Sequence, residues 1–191
     1  PEKYGDLLVY LMDRYLENMD KIEVRNINDY ARCVLTGRGT VCTFVDCMEN
    51  TFAVGPDGSI YPCYRFVGMP EYVMGHVRDR PRPDELANSE AGVRMRRFKE
   101  YVDRECKGCK HIRYCRGGCP YNAIAPSDGE IRGVDPHCLA YKRIFDEISD
   151  RFNQEMMGSM GLEMGLPVGG PKREKSIRPA IMPLVRKLAS N

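Results

Sequence analysis

The chain has 191 residues, 42% of them hydrophobic and 29% charged, which is enough to bury the core of one domain or slightly more. The 29 Lys and Arg nearly balance the 27 Asp and Glu, so the net charge of +2 favours neither nucleic acid nor a membrane surface as a partner. No run approaches the roughly 20 apolar residues that span a bilayer, and the first residues lack the order of a signal peptide. We therefore expect a cytoplasmic protein.

The N-terminal residues predict an amphipathic helix over residues 5–19, because apolar side chains recur there with helical spacing. A short extended segment over residues 22–27 is expected next. Asn28 or Asp29 then caps a short helix that Gly37 ends. The chain begins at Pro1 without an initiator Met, and we interpret it as cut from a longer protein.

A β-hairpin is predicted where residues 51–55 and 59–62 flank the turn-forming sequence Pro56-Asp57-Gly58. Its outgoing strand delivers Cys63. Residues 78–84 contain two prolines and are expected to be a connector. Ser89 caps the next predicted helix, which runs to Val102 with four apolar positions: Val93, Phe98, Tyr101 and Val102.

Residues 106–138 consist of thiols, glycines and charges with little periodicity, so we expect this backbone to wrap ligands. A last amphipathic helix is predicted from Pro136 to about Asn153. The segment 155–191 is rich in Gly, Met, Pro and basic residues and is predicted to be a flexible basic tail.

The chain has nine cysteines, at positions 33, 42, 47, 63, 106, 109, 115, 119 and 138. An odd number without a secretion signal argues against a disulfide framework, because thiols in the cytosol stay reduced. Clustered thiols there more often bind metal. Cys33, on a predicted helix, is expected to be a buried free thiol.

Four of the thiols, Cys106-x2-Cys109-x5-Cys115-x3-Cys119, lie within fourteen residues and would satisfy one metal site alone. A second quartet then remains: Cys42, Cys47, Cys63 and Cys138. However, Cys119 precedes Pro120, and in two-cluster ferredoxins a C-x3-C-P step sends its last cysteine to the other cluster. By that analogy Cys119 joins Cys42, Cys47 and Cys63. Cys138 then joins Cys106, Cys109 and Cys115. Two structural zinc sites are the alternative to iron–sulfur clusters.

These motifs resemble the SPASM domain, the C-terminal extension of radical S-adenosylmethionine enzymes that modify peptides and proteins. The resemblance covers residues 42–138 and rests on the segments CTFVDCMENTFAVGPDGSIYPCYRF and CKGCKHIRYCRGGCPYN. The sequences of these two segments are similar to those of the anaerobic sulfatase-maturating and peptide-maturase branch. The resemblance implies two auxiliary 4Fe-4S clusters, the first on Cys42, Cys47, Cys63 and Cys119 and the second on Cys106, Cys109, Cys115 and Cys138.

The family's N-terminal part is a partial (β/α) barrel that holds a third 4Fe-4S cluster on C-x3-C-x2-C and binds S-adenosylmethionine. No such triplet occurs in these 191 residues, which therefore offer no S-adenosylmethionine site and are expected to be inactive alone. The resemblance also implies a peptide or protein substrate and an external electron carrier of the ferredoxin or flavodoxin type.

One position departs from the sulfatase-maturating pattern. In those enzymes an Asp directly follows the third cysteine of the first auxiliary cluster and serves as the base, whereas Tyr64 follows Cys63 here. Another oxidation, such as thioether or carbon–carbon cross-linking of a peptide, is then at least as well supported as formylglycine formation. Asp46, Asp57 and Tyr64 are conceivable proton acceptors, with Asp57 better explained by the turn and Tyr64 by packing. No catalytic base is assigned.

The predicted fold class is α+β with little regular structure, in which a β-hairpin and helices wrap two iron–sulfur clusters. Residues 1–36 would be the end of the barrel and a bridge, residues 37–154 the SPASM domain, and residues 155–191 the tail. The predicted function is the auxiliary-cluster part of a peptide-modifying radical enzyme. A stand-alone electron carrier, a peptide-docking module or a structural zinc domain are the alternatives.

Overall fold

The computed structural model describes residues 2–47, 51–124, 128–163 and 179–190. The described residues form seven α-helices and three short β-strands. The helices are α1 (Glu2–Glu17), α2 (Arg25–Thr36), α3 (Pro83–Asn88), α4 (Glu90–Glu105), α5 (Ile112–Cys115), α6 (Cys138–Glu163) and α7 (Met182–Ala189). The strands are β1 (Ala53–Val54), β2 (Ser59–Tyr61) and β3 (Gly75–His76). This mixed, helix-rich content agrees with the predicted α+β class. In the described part of the chain, no helix combines the length and apolarity that crossing a bilayer requires.

The chain divides into two compact units. The helical unit contains residues up to Arg38 together with those from Leu139 onward, and the cysteine unit runs from Gly39 to Cys138. The domain boundaries expected from the sequence, at residues 36 and 154, stay a prediction. All eight predicted metal ligands belong to the cysteine unit.

The helical unit has an apolar core formed by one face of each of its helices. Residues at helical spacing in α1 are buried, as predicted, and α6 contributes a second buried stripe. The Tyr30 ring of α2 meets Phe145 edge to face with 6.0 Å between ring centroids. The fully or almost fully buried side chains are Leu8, Met12, Tyr15, Ile27, Ile144, Phe145, Ile148, Ile181 and Leu184.

The segment after α1 differs from the prediction. Val24 is extended, but α2 begins at Arg25, so Ile27 packs from a helix and the expected extended segment is short. No side chain caps this N-terminus, and neither Asn28 nor Asp29 takes that place. Gly37 ends the helix in the left-handed conformation, with a φ of 63°, as predicted.

The C-terminal segment is more structured than the sequence indicated. The last predicted helix continues ten residues beyond Asn153, to Glu163. Within the predicted tail the structure contains α7, in which Leu184 is buried; Ile181, directly before this helix, is buried too, and the Glu155 carboxylate accepts a hydrogen bond from the Met182 amide at 2.9 Å. Residues 164–178 of the predicted tail lie outside the described residues, and the flexibility of the tail stays a prediction.

The cysteine unit contains the predicted hairpin, in which β1 pairs antiparallel with β2. Gly58 closes the turn with a φ of +90°, a conformation that glycine adopts without steric cost. The sequence analysis missed β3, which pairs with the other edge of β2 and completes a three-stranded antiparallel sheet. Because β3 has only two residues, it carries no periodicity from which to predict a strand.

Helix α4 contributes Met95 and Phe98 to the core of the cysteine unit. The Ser89 hydroxyl accepts a hydrogen bond from the Gly92 amide at 3.1 Å, which confirms the predicted cap. Val93, predicted to be buried, is 45% exposed, and Met95 takes its place in the core. Residues 78–84 were predicted as a connector throughout, but Pro83 starts α3. The core cluster contains Tyr61, Phe66, Tyr72, Met95, Phe98, Ala123 and Ile131.

Candidate metal centre

Four thiols of the cysteine unit surround one small cavity. Cys42 opens a 3-10 turn, Cys63 follows β2, and Cys119 precedes Pro120 at the end of the glycine-rich loop. With Cys47 they line a cavity of about 120 Å³. Among these four thiols Cys119 is buried and Cys42 is exposed. We call these four residues the first cysteine group.

Two thiols of the first cysteine group, Cys47 and Cys63, have a raised pKa. The pKa of Cys47 is raised to about 11, mainly by burial and in smaller part by negative charge on Cys119, Cys42 and Cys63. Burial also raises the pKa of Cys63, with smaller contributions from Cys119 and Cys42. A bound metal centre would supply the positive charge that holds such thiols as thiolates.

The remaining four thiols form a second cysteine group. The pKa of Cys115 is raised to about 12, mainly by burial and in smaller part by negative charge on Cys138, Cys106 and Cys109. Cys106 ends α4, Cys115 is the last residue of α5, and Cys138 is the first of α6, so three helix ends carry this group. Cys106 and Cys115 are buried.

Each group therefore takes three cysteines that are near one another in sequence and one from a distant segment. The last cysteine of the glycine-rich loop, Cys119, lies with the hairpin cysteines, and Cys138 lies with the loop cysteines. This arrangement is the crossed one that the Cys119-Pro120 step predicted. Which ligands bind metal remains a prediction.

The chemistry of both groups suits a multi-iron centre. Two sets of four thiols match the four-cysteine ligation of 4Fe-4S clusters. Among the described residues, no three Cys, His, Asp or Glu side chains are close enough to hold a single metal ion. Two zinc ions, each bound by four sulfurs, remain the alternative.

Glycines let the ligand loop turn sharply between the two groups. Gly117 and Gly118 have φ angles of +83° and +85°, which side chains rarely adopt. At Gly118 a Cβ would also come within 2.8 Å of the Asp135 Cγ. The close approach of Asp135 to this loop accounts for the second glycine.

Arg65 is a cation in contact with a predicted ligand sulfur, and the sequence analysis did not single it out. Its Nη1 lies 3.6 Å from the Cys119 Sγ and 2.9 Å from the Asn122 Oδ1. Its position two residues after Cys63 was the only available signal in the sequence. Five other cations of the loop are all exposed at the surface: Arg104, Lys107, Lys110, Arg113 and Arg116.

A larger cavity of about 610 Å³ adjoins the first cysteine group at Cys47. This volume is within the range of sites that bind small molecules or side chains. Apolar side chains from α4 and its surroundings form much of the wall, among them Met95, Phe98 and Val102. Four exposed cations also line it: Arg96, Lys99, Arg113 and Arg116.

The three conceivable proton acceptors have different surroundings. Asp57 serves the hairpin turn, as expected: the Ser59 hydroxyl donates to it at 2.7 Å, and this bond together with the Ser59 amide lowers the pKa of Asp57. Tyr64 is 74% exposed, so the interpretation that it packs is wrong. Asp46 is exposed at the cavity beside Cys47, 4.0 Å from Arg116.

The ninth cysteine and the histidines have local structural surroundings. Cys33 is fully buried in α2, as predicted. The His76 Nε2 lies 2.9 Å from the Asp57 carbonyl oxygen, and the His111 Nδ1 lies 2.6 Å from the Tyr114 hydroxyl. His137 is beside a predicted ligand and contacts Asp135.

Comparison with known families identifies the cysteine-rich segment. Residues 42–110 match the family model of SPASM, described as an iron-sulfur cluster-binding domain. The matched residues include Cys42, Cys47, Cys63, Cys106 and Cys109. This segment is therefore similar to the SPASM domain, which agrees with the resemblance that the sequence motifs indicated.

Several curated relatives of the chain are anaerobic sulfatase-maturating enzymes. The chain is 27% identical over 149 residues to the cysteine-type anaerobic sulfatase-maturating enzyme of Clostridium perfringens, covering 76% of this chain and 40% of that protein. It is 25% identical over 163 residues to the serine-type enzyme of Bacteroides thetaiotaomicron, covering 82% of this chain and 39% of that protein.

Solved structures show the same similarity. A structure of anSMEcpe with bound AdoMet superimposes with a TM-score of 0.60 and 26% identity, covering 81% of this chain and 40% of that one. A structure of native anSMEcpe with AdoMet and a Cp18Cys peptide gives a TM-score of 0.59. The chain thus spans about 40% of the length of the relatives it matches.

Proposed function

We propose that this chain is the auxiliary-cluster part of a radical S-adenosylmethionine enzyme that oxidises a side chain of a peptide or protein. In this proposal the first cysteine group binds one 4Fe-4S cluster and the second group binds another. Such clusters, when bound, accept single electrons and pass them on. An external ferredoxin or flavodoxin would receive these electrons.

The observation that carries this proposal is the grouping of the thiols, with Cys42, Cys47, Cys63 and Cys119 lining one cavity. Cys47 and Cys115 each have a raised pKa, to which the three other members of their own group contribute. Two separate sets of four cysteines in a SPASM domain favour two clusters with crossed ligation. The chain's own part is to hold the thiols close enough to ligate while Arg65 provides positive charge at one sulfur.

The large cavity supports the proposal of a peptide substrate. Its apolar wall suits a hydrophobic side chain, its cations suit an acidic one, and it adjoins a predicted cluster ligand at Cys47. The related anSMEcpe has been solved with bound peptides. We assign no base, because Tyr64 stands where the sulfatase-maturating pattern has Asp, and 74% of the Tyr64 surface is exposed to solvent.

Paired cysteine substitutions test the two-cluster proposal on the purified chain. With crossed ligation, the double variant Cys42→Ser/Cys119→Ser disrupts one site and should keep about four iron atoms. The double variant Cys106→Ser/Cys119→Ser disrupts both sites and should lose nearly all iron. Anaerobic iron and sulfide analysis of both variants measures this.

The two results would be exchanged if Cys106, Cys109, Cys115 and Cys119 formed one site. In that case Cys106→Ser/Cys119→Ser would keep about four iron atoms and Cys42→Ser/Cys119→Ser would keep none. Such an exchange would overturn the crossed ligation while leaving the two-cluster proposal intact. Cys33→Ser is the matched control and should leave the iron content unchanged.

A further inference from the structure

Asp135 is a fully buried carboxylate between the two cysteine groups. One oxygen, Oδ2, accepts hydrogen bonds from the Cys119 amide at 3.0 Å and the Asn122 side-chain amide at 2.8 Å. The other, Oδ1, accepts from the His137 amide at 2.9 Å and lies 2.8 Å from the His137 Nδ1. Burial of a charge is costly without such partners, and these nitrogen donors compensate the carboxylate.

The main chain of Asp135 makes further contacts with the same segments. Its carbonyl oxygen accepts a hydrogen bond from the Cys138 amide at 3.0 Å, and its own amide donates to the Gly117 carbonyl at 3.0 Å. One residue therefore fixes the main chain at Cys119, a member of the first cysteine group, and at Cys138, a member of the second.

Arg65 places the opposite charge at the Cys119 side chain, whereas Asp135 contacts the Cys119 amide. Its guanidinium donates to the Cys119 Sγ and to the Asn122 Oδ1, and it stacks 3.9 Å above the Tyr121 ring. The Asn122 amide joins the two charges, because its oxygen faces Arg65 and its nitrogen faces Asp135. The opposite orientation of the Asn122 amide is unfavourable, because its nitrogen would face the Arg65 cation and its oxygen would face the Asp135 anion.

We propose that Arg65 and Asp135, joined by Asn122, are positioning residues that shift the reduction potentials of the bound clusters in opposite directions. The inference rests on the proposed function, since it needs both clusters. Reduction adds negative charge to a cluster, so a cation at the Cys119 sulfur favours it and a buried anion opposes it. Asp135 acts on both clusters, whereas Arg65 contacts a sulfur of the first only.

Asparagine is an informative replacement for Asp135. Its single oxygen can face either the Cys119 and Asn122 donors or the His137 donors, so an NH₂ group must face N–H groups on the other side. Asp135→Asn thus removes the negative charge and one pair of hydrogen bonds while keeping the volume. Arg65→Gln removes the cation, and Arg65→Lys restores the charge without the planar fork.

The test is a redox titration of the full chain, loaded anaerobically with iron and sulfide and monitored by electron paramagnetic resonance. Arg65→Gln should shift the first cluster to a more negative potential and leave the second unchanged, and Arg65→Lys should recover part of that shift. Asp135→Asn should shift both clusters to more positive potentials. Asp128→Asn and Arg132→Gln, which remove the two halves of an exposed ion pair, are matched controls and should shift neither.

Iron and sulfide content separates this inference from the proposed function. Parent protein without sulfide would refute the clusters themselves. Unchanged potentials in Arg65→Gln and Asp135→Asn at parent iron content would overturn the inference alone. If Asp135→Asn binds no iron, the Arg65 variants provide the test. An unchanged reduction potential of the first cluster in Arg65→Gln would then overturn the inference.

Discussion

In the helical unit, the buried side chains are mainly hydrocarbon and meet between helices, as Tyr30 and Phe145 do. In the cysteine unit, two groups of thiols are brought together, burial and neighbouring thiols raise the pKa of Cys47 and Cys115, and the longest α-helix among the described residues between Cys106 and Cys138 is the four-residue α5. The first arrangement is stable through burial of apolar area. We expect the second to gain much of its stability from a bound metal centre, because such a centre converts repulsion between thiolates into attraction.

Removal of the metal should therefore produce a larger difference in stability between the two units than any substitution does. After anaerobic chelation of iron, we expect amides of residues 42–138 to exchange rapidly while those of α1, α2 and α6 beyond its first turn remain protected. Hydrogen exchange read by mass spectrometry measures both units in one sample. Equal protection of residues 42–138 with and without iron would refute the difference between the units.

The next largest effect is expected at Gly118, inside the ligand loop. Gly118→Ala places a Cβ at a φ of +85° and against Asp135, so the loop must shift away from both cysteine groups. We expect loss of most bound iron. Gly108→Ala is the matched control, since its φ is +77° but no atom lies within 4 Å of the added Cβ.

Gly108→Ala should cost only the left-handed backbone conformation, about 1–2 kcal/mol, and keep its iron. Iron analysis and urea unfolding of both alanine variants provide the comparison. Equal iron content in the two would show that contact with Asp135 does not constrain the loop.

A core substitution in the helical unit should have the opposite effect, destabilising that unit without loss of iron. Phe145 is fully buried, and Phe145→Ala should lower the free energy of unfolding of that unit by about 3–5 kcal/mol through lost contacts and a cavity. Iron bound by the cysteine unit should stay at the parent level. Denaturant unfolding followed by circular dichroism, with iron analysis alongside, checks the two expectations. The exposed Leu139→Ala serves as the control for helix propensity.

The smallest expected effect concerns alkaline pH and Tyr72 in the cysteine unit. Burial raises the pKa of Tyr72 to about 12, and its hydroxyl donates to the Gly129 carbonyl at 2.7 Å. Because the folded state favours the protonated phenol, this contribution to stability is complete below the unfolded pKa of about 10 and is lost as the pH rises toward 12.

Tyr72→Phe should remove that part of the alkaline destabilisation, whereas Tyr64→Phe, at an exposed tyrosine, should not. Urea midpoints measured on either side of pH 10 compare the variants with the parent. An identical loss of stability in Tyr72→Phe and the parent would contradict the assignment.

The sequence predicted those features that depend on local chemistry. The Pro56-Asp57-Gly58 turn, the Ser89 cap and the Gly37 helix end each follow from one or two residues, and the structure contains all of them. The thiol spacing and the Cys119-Pro120 step likewise indicated which cysteines come together.

Features that depend on distant contacts were not predictable. Strand β3 forms by pairing its two residues with β2, and α7 is defined by burial of Ile181 and Leu184. Pro83 indicated a break in the chain, whereas proline is equally suited to the first position of a helix. Arg65 and Asp135 are far apart in the sequence, and only the fold brings both to Cys119.

The most direct test of the account is the amount of iron, acid-labile sulfide and zinc per chain after strictly anaerobic preparation. Two 4Fe-4S clusters on the two cysteine groups predict about eight iron and eight sulfide with little zinc. About two zinc and no sulfide would contradict the account, since two structural zinc sites would then occupy the eight thiols.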